Sequence, residues 1–270
     1  MPKLKINGVE INYSLDGTGE ETIVFLNGIM MNTLSWNDFV PVLTEQNSYR
    51  LLRLDFRDMG FSSPYTEDYD VSIHVDDLKG LLDELGIRKV HLLGVSYGAM
   101  VAMMFALKYP ENLSTLILPN AVARVTRFLQ AASDIWEYSA ATNSGELFFK
   151  LSMPFIYSDE FYERNWEWLK EREAFFDQIL TKEYFASLQR LSRSSKNFDI
   201  LDEIHKIKVP TLLIAGSRDI ITPVSEMKKI QERIEGSRMI IIEGAGHASF
   251  YEKMDEFVTA VLGFVALHRD

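Results

Sequence analysis

An α/β architecture is expected from this chain: a mostly parallel sheet with helices on both faces, interrupted by an all-helical insertion. Apolar runs of strand length alternate with helical periods up to about residue 120 and again from residue 207. That alternation is how parallel strands joined by crossover helices read in sequence. From residue 121 to 206 the period is helical and no convincing strand pattern occurs. A chain of 270 residues is long enough to bury one large core. The expected division is a core of residues 1–120 and 207–270, carrying a helical cap of residues 121–206.

The elements follow in order. LKINGVEINY reads as two short strands around Asn7-Gly8, a pair that favours a two-residue hairpin turn. TIVFLNG is a buried-strand pattern ending at Gly28, followed by a helix near residues 35–43 and the strand YRLLRLDF. In SIHVDDLKGLLDEL, residues Val75, Leu78, Leu81, Leu82 and Leu85 share one helical face, closed by Gly86. The strand KVHLLGV leads into a helix through AMVAMMFALKY that stops at Pro110, and LSTLILPN is the next strand. The insertion is crowded with aromatics, Trp136, Phe155 and Trp166 among them. VPTLLIAG, a helix over 225–234, RMIIIEG and a closing helix near 250–267 complete the pattern. In such sheets ligands sit at the carboxyl ends of the strands, so a helical insertion above that edge walls off a cleft.

Composition excludes several classes. A formal charge of −11 repels phosphate backbones and anionic lipids, so neither nucleic acid nor membrane is an expected partner. No apolar run approaches membrane-spanning length, and MPKLKINGVE lacks the apolar core of a secretory signal. The absence of cysteine rules out disulfides, thiolate metal sites and a cysteine nucleophile. The expected compartment is the cytoplasm. The five histidines are scattered, with no two at metal-ligand spacing on one helix, so no metal is expected. No lysine follows the glycine-bearing turn as a nucleotide cradle requires.

The chemistry is expected at Ser96. Gly94-Val95-Ser96-Tyr97-Gly98 places a serine between a predicted strand and a predicted helix. On so sharp a turn the middle side chain projects outward, and the flanking glycines let neighbouring backbones approach. A serine hydroxyl needs a base. His91 lies inside a strand, His74 near a helix start, His205 before a strand and His268 in the tail. His247, in the small-residue loop EGAGHASF after RMIIIEG, remains as the base. Asp219, in AGSRDIITP after VPTLLIAG, lies at the same sheet edge and is expected to orient it. The oxyanion donors are expected to be the backbone N–H groups of Tyr97 and Ile29.

These residues resemble the α/β-hydrolase superfamily over nearly the whole chain, through LNG at 26–28, DFRDMGFSS at 55–63, GVSYG at 94–98, GSRD at 216–219 and GAGH at 244–247. The resemblance implies an eight-stranded sheet with a helical cap, a Ser–Asp–His triad, no cofactor, and hydrolysis of esters or related acyl bonds. The chain departs from the pattern at Asn27, where histidine is usual, at Asp58, where glycine is usual, and at Ala99 in place of a second glycine. The serine separates it from branches that use an aspartate nucleophile.

The expected function is a serine hydrolase, like the carboxylesterases and enol-lactonases, acting on a small or medium apolar carboxylic ester or lactone through an acyl-enzyme on Ser96. Gly28, Met30, Trp136, Phe155 and Trp166 are the candidate substrate contacts. Acyl transfer and cofactor-free perhydrolysis use the same scaffold and differ in what reaches the acyl-enzyme. A ligand-binding sensor with slow turnover is the reading from another class.

Overall fold

The structure is a computed structural model and describes residues 1–45 and 49–269. Eight strands form one sheet: β1 (Lys3–Ile6), β2 (Val9–Asp16), β3 (Thr22–Leu26), β4 (Arg50–Leu54), β5 (Val90–Gly94), β6 (Leu113–Pro119), β7 (Thr211–Gly216) and β8 (Arg238–Ile242). Their spatial order is β1-β2-β4-β3-β5-β6-β7-β8. The β1–β2 and β2–β4 pairs are antiparallel and the remaining pairs parallel. Asn7 and Gly8 join β1 to β2 with φ of 47° and 86°. Both angles are positive, as a tight hairpin with matching twist requires.

Eleven helices lie among the described residues: α1 (Phe39–Thr44), α2 (Ile73–Glu84), α3 (Tyr97–Lys108), α4 (Arg127–Ala141), α5 (Gly145–Ile156), α6 (Asp159–Arg164), α7 (Trp166–Ile179), α8 (Lys182–Ser194), α9 (Val224–Arg233), α10 (Ser249–Glu252) and α11 (Met254–Ala266). The central strands are buried on both faces, so their residues divide between two cores. Val24, Leu26, Leu52, Leu54 and Leu92 pack with the apolar faces of α2, α3 and α9. Ile23, Phe25, Leu51 and Leu93 pack with those of α1 and α11. No helix among the described residues is long and apolar enough to cross a membrane.

Two expected helices are divided. The helix over 35–43 is a 3-10 turn (Thr33–Trp36) and then α1. Trp36 is fully buried, its indole N–H donating to Asn27 Oδ1 at 2.8 Å, and the chain turns around that anchor. The closing helix over 250–267 breaks at Lys253, with φ −138° and ψ 56°. Just before the break, Glu252 accepts hydrogen bonds from Gly246 N–H and from the Ser158 N–H and hydroxyl, which holds α10 to the loop over the sheet edge.

Helices α4 to α8 all fall between β6 and β7. Flanking these helices, Arg124 and Asp199 form an isolated antiparallel bridge. Ser, Thr and Ser at 144, 181 and 158 cap three of these helices by accepting the backbone N–H three residues on. Charged contacts tie them to the core: Arg190 in α8 to Asp58 at 2.6 Å, Arg193 to Asp68 at 2.8 Å, and Arg218 to Glu160 at 2.7 Å.

Candidate active site

Strand register fixes where the site falls. Leu26 pairs beside Gly94, Pro119 beside Ile214, and Gly216 beside Ile242, so the strands end along one edge. Strand order reverses between β3 and β5, because the chain runs from β3 outward to β4 and then back across to β5. The loops leaving those two neighbours therefore open a crevice at this point.

Ser96 sits between β5 and α3 with φ 54° and ψ −112°, a conformation costly for any residue with a side chain. The surroundings over-determine it. Ser96 N–H donates to Pro119 O at 3.2 Å and Val95 N–H to Leu26 O at 3.3 Å. A Cβ on Gly94 would lie 2.2 Å from Gly98 O, and one on Gly98 would lie 2.7 Å from Leu26 O. Both glycines are thus dictated by backbone packed against backbone, which drives α3 against the end of β3 and leaves Ser96 facing out.

The structure brings Ser96, His247 and Asp219 together. Ser96 Oγ lies 2.9 Å from His247 Nε2, and His247 Nδ1 lies 2.9 Å from Asp219 Oδ2. With Nδ1–H donating to the carboxylate, Nε2 is left as the acceptor for the serine O–H. Asp219 Oδ1 also accepts from Ile221 N–H at 2.8 Å and Thr222 N–H at 2.9 Å. Its Oδ2 accepts from the Thr222 hydroxyl at 2.5 Å and Asn120 Nδ2 at 2.8 Å. Burial by itself raises the Asp219 carboxyl, but His247 and the hydrogen bonds from His247 and Thr222 outweigh it and hold the group down at about 2. The carboxylate stays ionised beside the imidazole.

The other four histidines lie elsewhere. His91 is buried in β5 near Thr115, and His205 and His268 bond backbone carbonyls. His74 is buried in α2, 3.0 Å from the Tyr97 hydroxyl.

Across the crevice, a Cβ on Gly28 would lie 3.6 Å from Ser96 Cβ, so the loop after β3 runs directly beside the serine. Ile29 follows it and Met30 turns the chain at φ 71°. Tyr97 is the first residue of α3, where no preceding turn supplies a carbonyl for its N–H. Asn27 gives this loop a different support from histidine: its Nδ2 donates to Leu54 O at 2.9 Å and Asp55 Oδ1 at 3.2 Å, while Oδ1 accepts from Trp36. Asp58 has φ 63°, a conformation natural to the glycine it replaces. Its charge is taken up by Arg190, so the departure becomes a tie between the loop after β4 and α8.

Ser96 borders two chambers. The larger, about 550 Å³, runs beneath α5 and α7 and is lined by Gly28, Met30, Trp136, Tyr157, Trp168 and His247 among mostly apolar neighbours. The smaller, about 40 Å³, lies between Met100, Leu129 and Trp136 and ends in polar groups that include Ser133 and Ser192. Ile29 and Trp136 border both. Phe155 and Trp166 line neither, contrary to expectation. Phe155 packs with the core and against Phe128, 6.4 Å between ring centroids, and Trp166 is exposed at the start of α7. Two residues on in α7, Trp168 turns inward instead. It meets Tyr157, Phe161 and Tyr251 at centroid distances of 6.0, 5.7 and 5.6 Å.

Sequence reasoning missed Asn120, Thr222, Trp168 and Arg172. Asn120 was visible as an amide at the end of a strand, and Thr222 as a hydroxyl three residues after the aspartate. Trp168 and Arg172 carried only an i, i+4 spacing within a helical stretch rich in aromatic and charged residues.

The fold and the serine-bearing turn place the molecule among the α/β hydrolases. The pattern that defines the alpha/beta hydrolase family matches residues 23–260, and the chain belongs to that family. It is 27% identical to a proline iminopeptidase of Lactobacillus helveticus over 98% of this chain and 97% of that protein. Among solved structures it resembles MGS-M2, an alpha/beta hydrolase enzyme from a Medee basin deep-sea metagenome library, at 35% identity and a TM-score of 0.94, over 98% of this chain and 97% of that one. It is also similar to the enol-lactonase from Burkholderia xenovorans LB400, at 25% identity and a TM-score of 0.86, over 98% of this chain and 100% of that one.

Proposed function

We propose that the protein is a serine hydrolase that cleaves a carboxylic ester or lactone through an acyl-enzyme on Ser96. The observation that carries this reading is the hydrogen-bonded line from Ser96 through His247 to Asp219, opening on an apolar chamber. Ser96 Oγ attacks the carbonyl carbon while His247 Nε2 takes its proton. The oxyanion is received by the N–H groups of Ile29 and Tyr97. Asp219 stabilises the imidazolium, which then protonates the leaving alkoxide. Water enters, loses a proton to His247 and releases the acid from Ser96.

The resemblance to an iminopeptidase raises a second reading, a peptidase for a cationic peptide terminus. Such a terminus would need a carboxylate partner. Among the described residues no Asp or Glu lines either chamber, and the larger holds an arginine. The charge of the site therefore favours the ester or lactone. Turnover of p-nitrophenyl butyrate and of L-proline p-nitroanilide by wild type and Ser96→Ala tests both readings. The expected result is butyrate hydrolysis, lowered by about 10⁴-fold or more in the variant, and negligible anilide cleavage. Equal butyrate rates in the two proteins would remove Ser96 from the mechanism, and dominant anilide cleavage would favour the peptidase.

A further inference from the structure

Arg172 in α7 lines the larger chamber and is the one Asp, Glu, Lys or Arg among that chamber's described lining residues. Its guanidinium carbon lies 4.8 Å from the centroid of the Trp168 ring, one helical turn earlier. Among the described residues, no carboxylate lies within ion-pairing distance of it. The contrast with its neighbours matters in a chain with 39 acidic and 28 basic residues. Lys150 and Lys170 both reach Glu173, the next residue in α7, and Arg218 reaches Asp159 and Glu160. Arg172 is half-buried and borders instead a mostly apolar chamber that Ser96 also lines.

The stacking arrangement suits anion capture. A guanidinium lying on an indole face is held flat, and its N–H edges remain free for a planar, two-oxygen acceptor. Trp168 itself packs among Tyr157, Phe161 and Tyr251, so the cation lies against an aromatic wall. The chamber that Arg172 shares with Ser96 is also lined by Met30, Met153, Ile156 and Phe176, which offer contact to methylene groups and no hydrogen bonds from their side chains. One mostly apolar chamber thus carries both the reacting serine and a single cation.

We infer that Arg172 is a specificity-determining residue that receives a carboxylate, and that the substrates are half-esters or lactones bearing a carboxylate on an apolar stem. This rests on the ester and lactone reading above and narrows the class of substrate.

Binding and turnover are measured separately. The Ser96→Ala protein is titrated by calorimetry with monomethyl adipate and with methyl hexanoate, which match in acyl length and differ in the terminal carboxylate. A charge-assisted contact of this kind corresponds to roughly 10- to 100-fold tighter binding of the adipate half-ester. That preference is lost in Ser96→Ala/Arg172→Gln and only partly restored by Arg172→Lys, which keeps the charge without the fork. Equal affinity for the two ligands, or a preference that survives Arg172→Gln, overturns the inference. Turnover of mono-p-nitrophenyl adipate and p-nitrophenyl hexanoate is then compared in the Ser96 protein. Arg172→Gln raises KM for the adipate ester about tenfold or more and leaves hexanoate turnover within about threefold. A protein that binds the half-ester through Arg172 yet turns over neither substrate would contradict the serine hydrolase reading and leave the assignment of Arg172 standing.

Discussion

The floor and the roof of the larger chamber hold their residues in place by different means. On the floor, Ser96, Gly28 and Tyr97 are set by backbone meeting backbone, with Gly94 and Gly98 too close to their neighbours for a side chain. In the roof, Trp168, Arg172 and Phe176 are set by side chains one helical turn apart on α7, where only Leu169 is deeply buried. A third arrangement joins the two along a seam. There Tyr97 touches His74 and Ser194, and Asp58 grips Arg190. On the proposed function, the reacting groups belong to the backbone-set floor, and the side chains that face the substrate belong to α7.

The seam offers the largest expected effect. Burial first, and the nearby Arg57 second, push the His74 imidazole down to about 3. His74 is therefore neutral in the folded protein, while the unfolded chain takes up a proton near pH 6.5. Folding stability is full above pH 6.5 and is lost as pH falls from there toward 3, at about 1.4 kcal/mol per pH unit from this group. Urea midpoints measured from pH 7 to pH 4 should fall along that slope in wild type and much less in His74→Gln. An equal slope in both proteins would take His74 out of the account.

Next comes the pair across the seam. The Asp58 side chain is wholly buried, while that of Arg190 is 16% exposed. Asp58→Ala strands a largely buried guanidinium and should cost about 3 kcal/mol, read as a shift in chemical denaturation. The exposed Arg218 pair is the control, because solvent screens it and Arg218→Ala should leave the denaturation midpoint almost unchanged. If the two variants are equally stable, the seam does not hold floor to roof.

Gly98→Ala probes the floor alone. Its methyl would meet Leu26 O and Asn27 O at 2.7 and 2.8 Å and must push α3 away. No reacting group is removed, yet a displacement of Ser96 by even an ångström should lower kcat/KM about 100-fold. Unchanged kinetics would mean that the elbow tolerates slack.

In the roof, Trp168→Ala should change the acyl-length preference several-fold through loss of wall area, whereas Trp166→Ala should leave kinetics and stability within about 0.5 kcal/mol. A reversed result would mean that the first turn of α7 faces the chamber in solution.

How far the sequence discloses each part follows from the same contrast. The floor was legible because its constraints are local: a strand pattern, a five-residue turn, and single residues just after β7 and β8. Strand alternation also disclosed the sheet and the run of helices between β6 and β7. Trp168 was not legible, since Trp166 and Trp168 both sit in a helical stretch whose inward face depends on how α7 packs on α5. The close approach of α5 and α7 is governed by Gly145, whose added Cβ would lie 2.3 Å from Phe176 O. Nothing local to α7 reports it. Asp58 was visible as a departure, but its partner lies 132 residues away. The break before α1 and the break at Lys253 were hidden too, since the contacts beside them, Trp36 to Asn27 and Glu252 to Ser158, are made outside the helical stretches themselves.

On the proposed mechanism Ser96 is the nucleophile and His247 its base. Treatment with a fluorophosphonate ester, followed by mass spectrometry of the digested protein, tests it most directly. A single phosphonyl adduct is expected on the peptide carrying Ser96, formed in step with loss of esterase activity and slowed at least about 100-fold in His247→Ala. An adduct on another residue, or activity that persists once Ser96 is fully labelled, would contradict it.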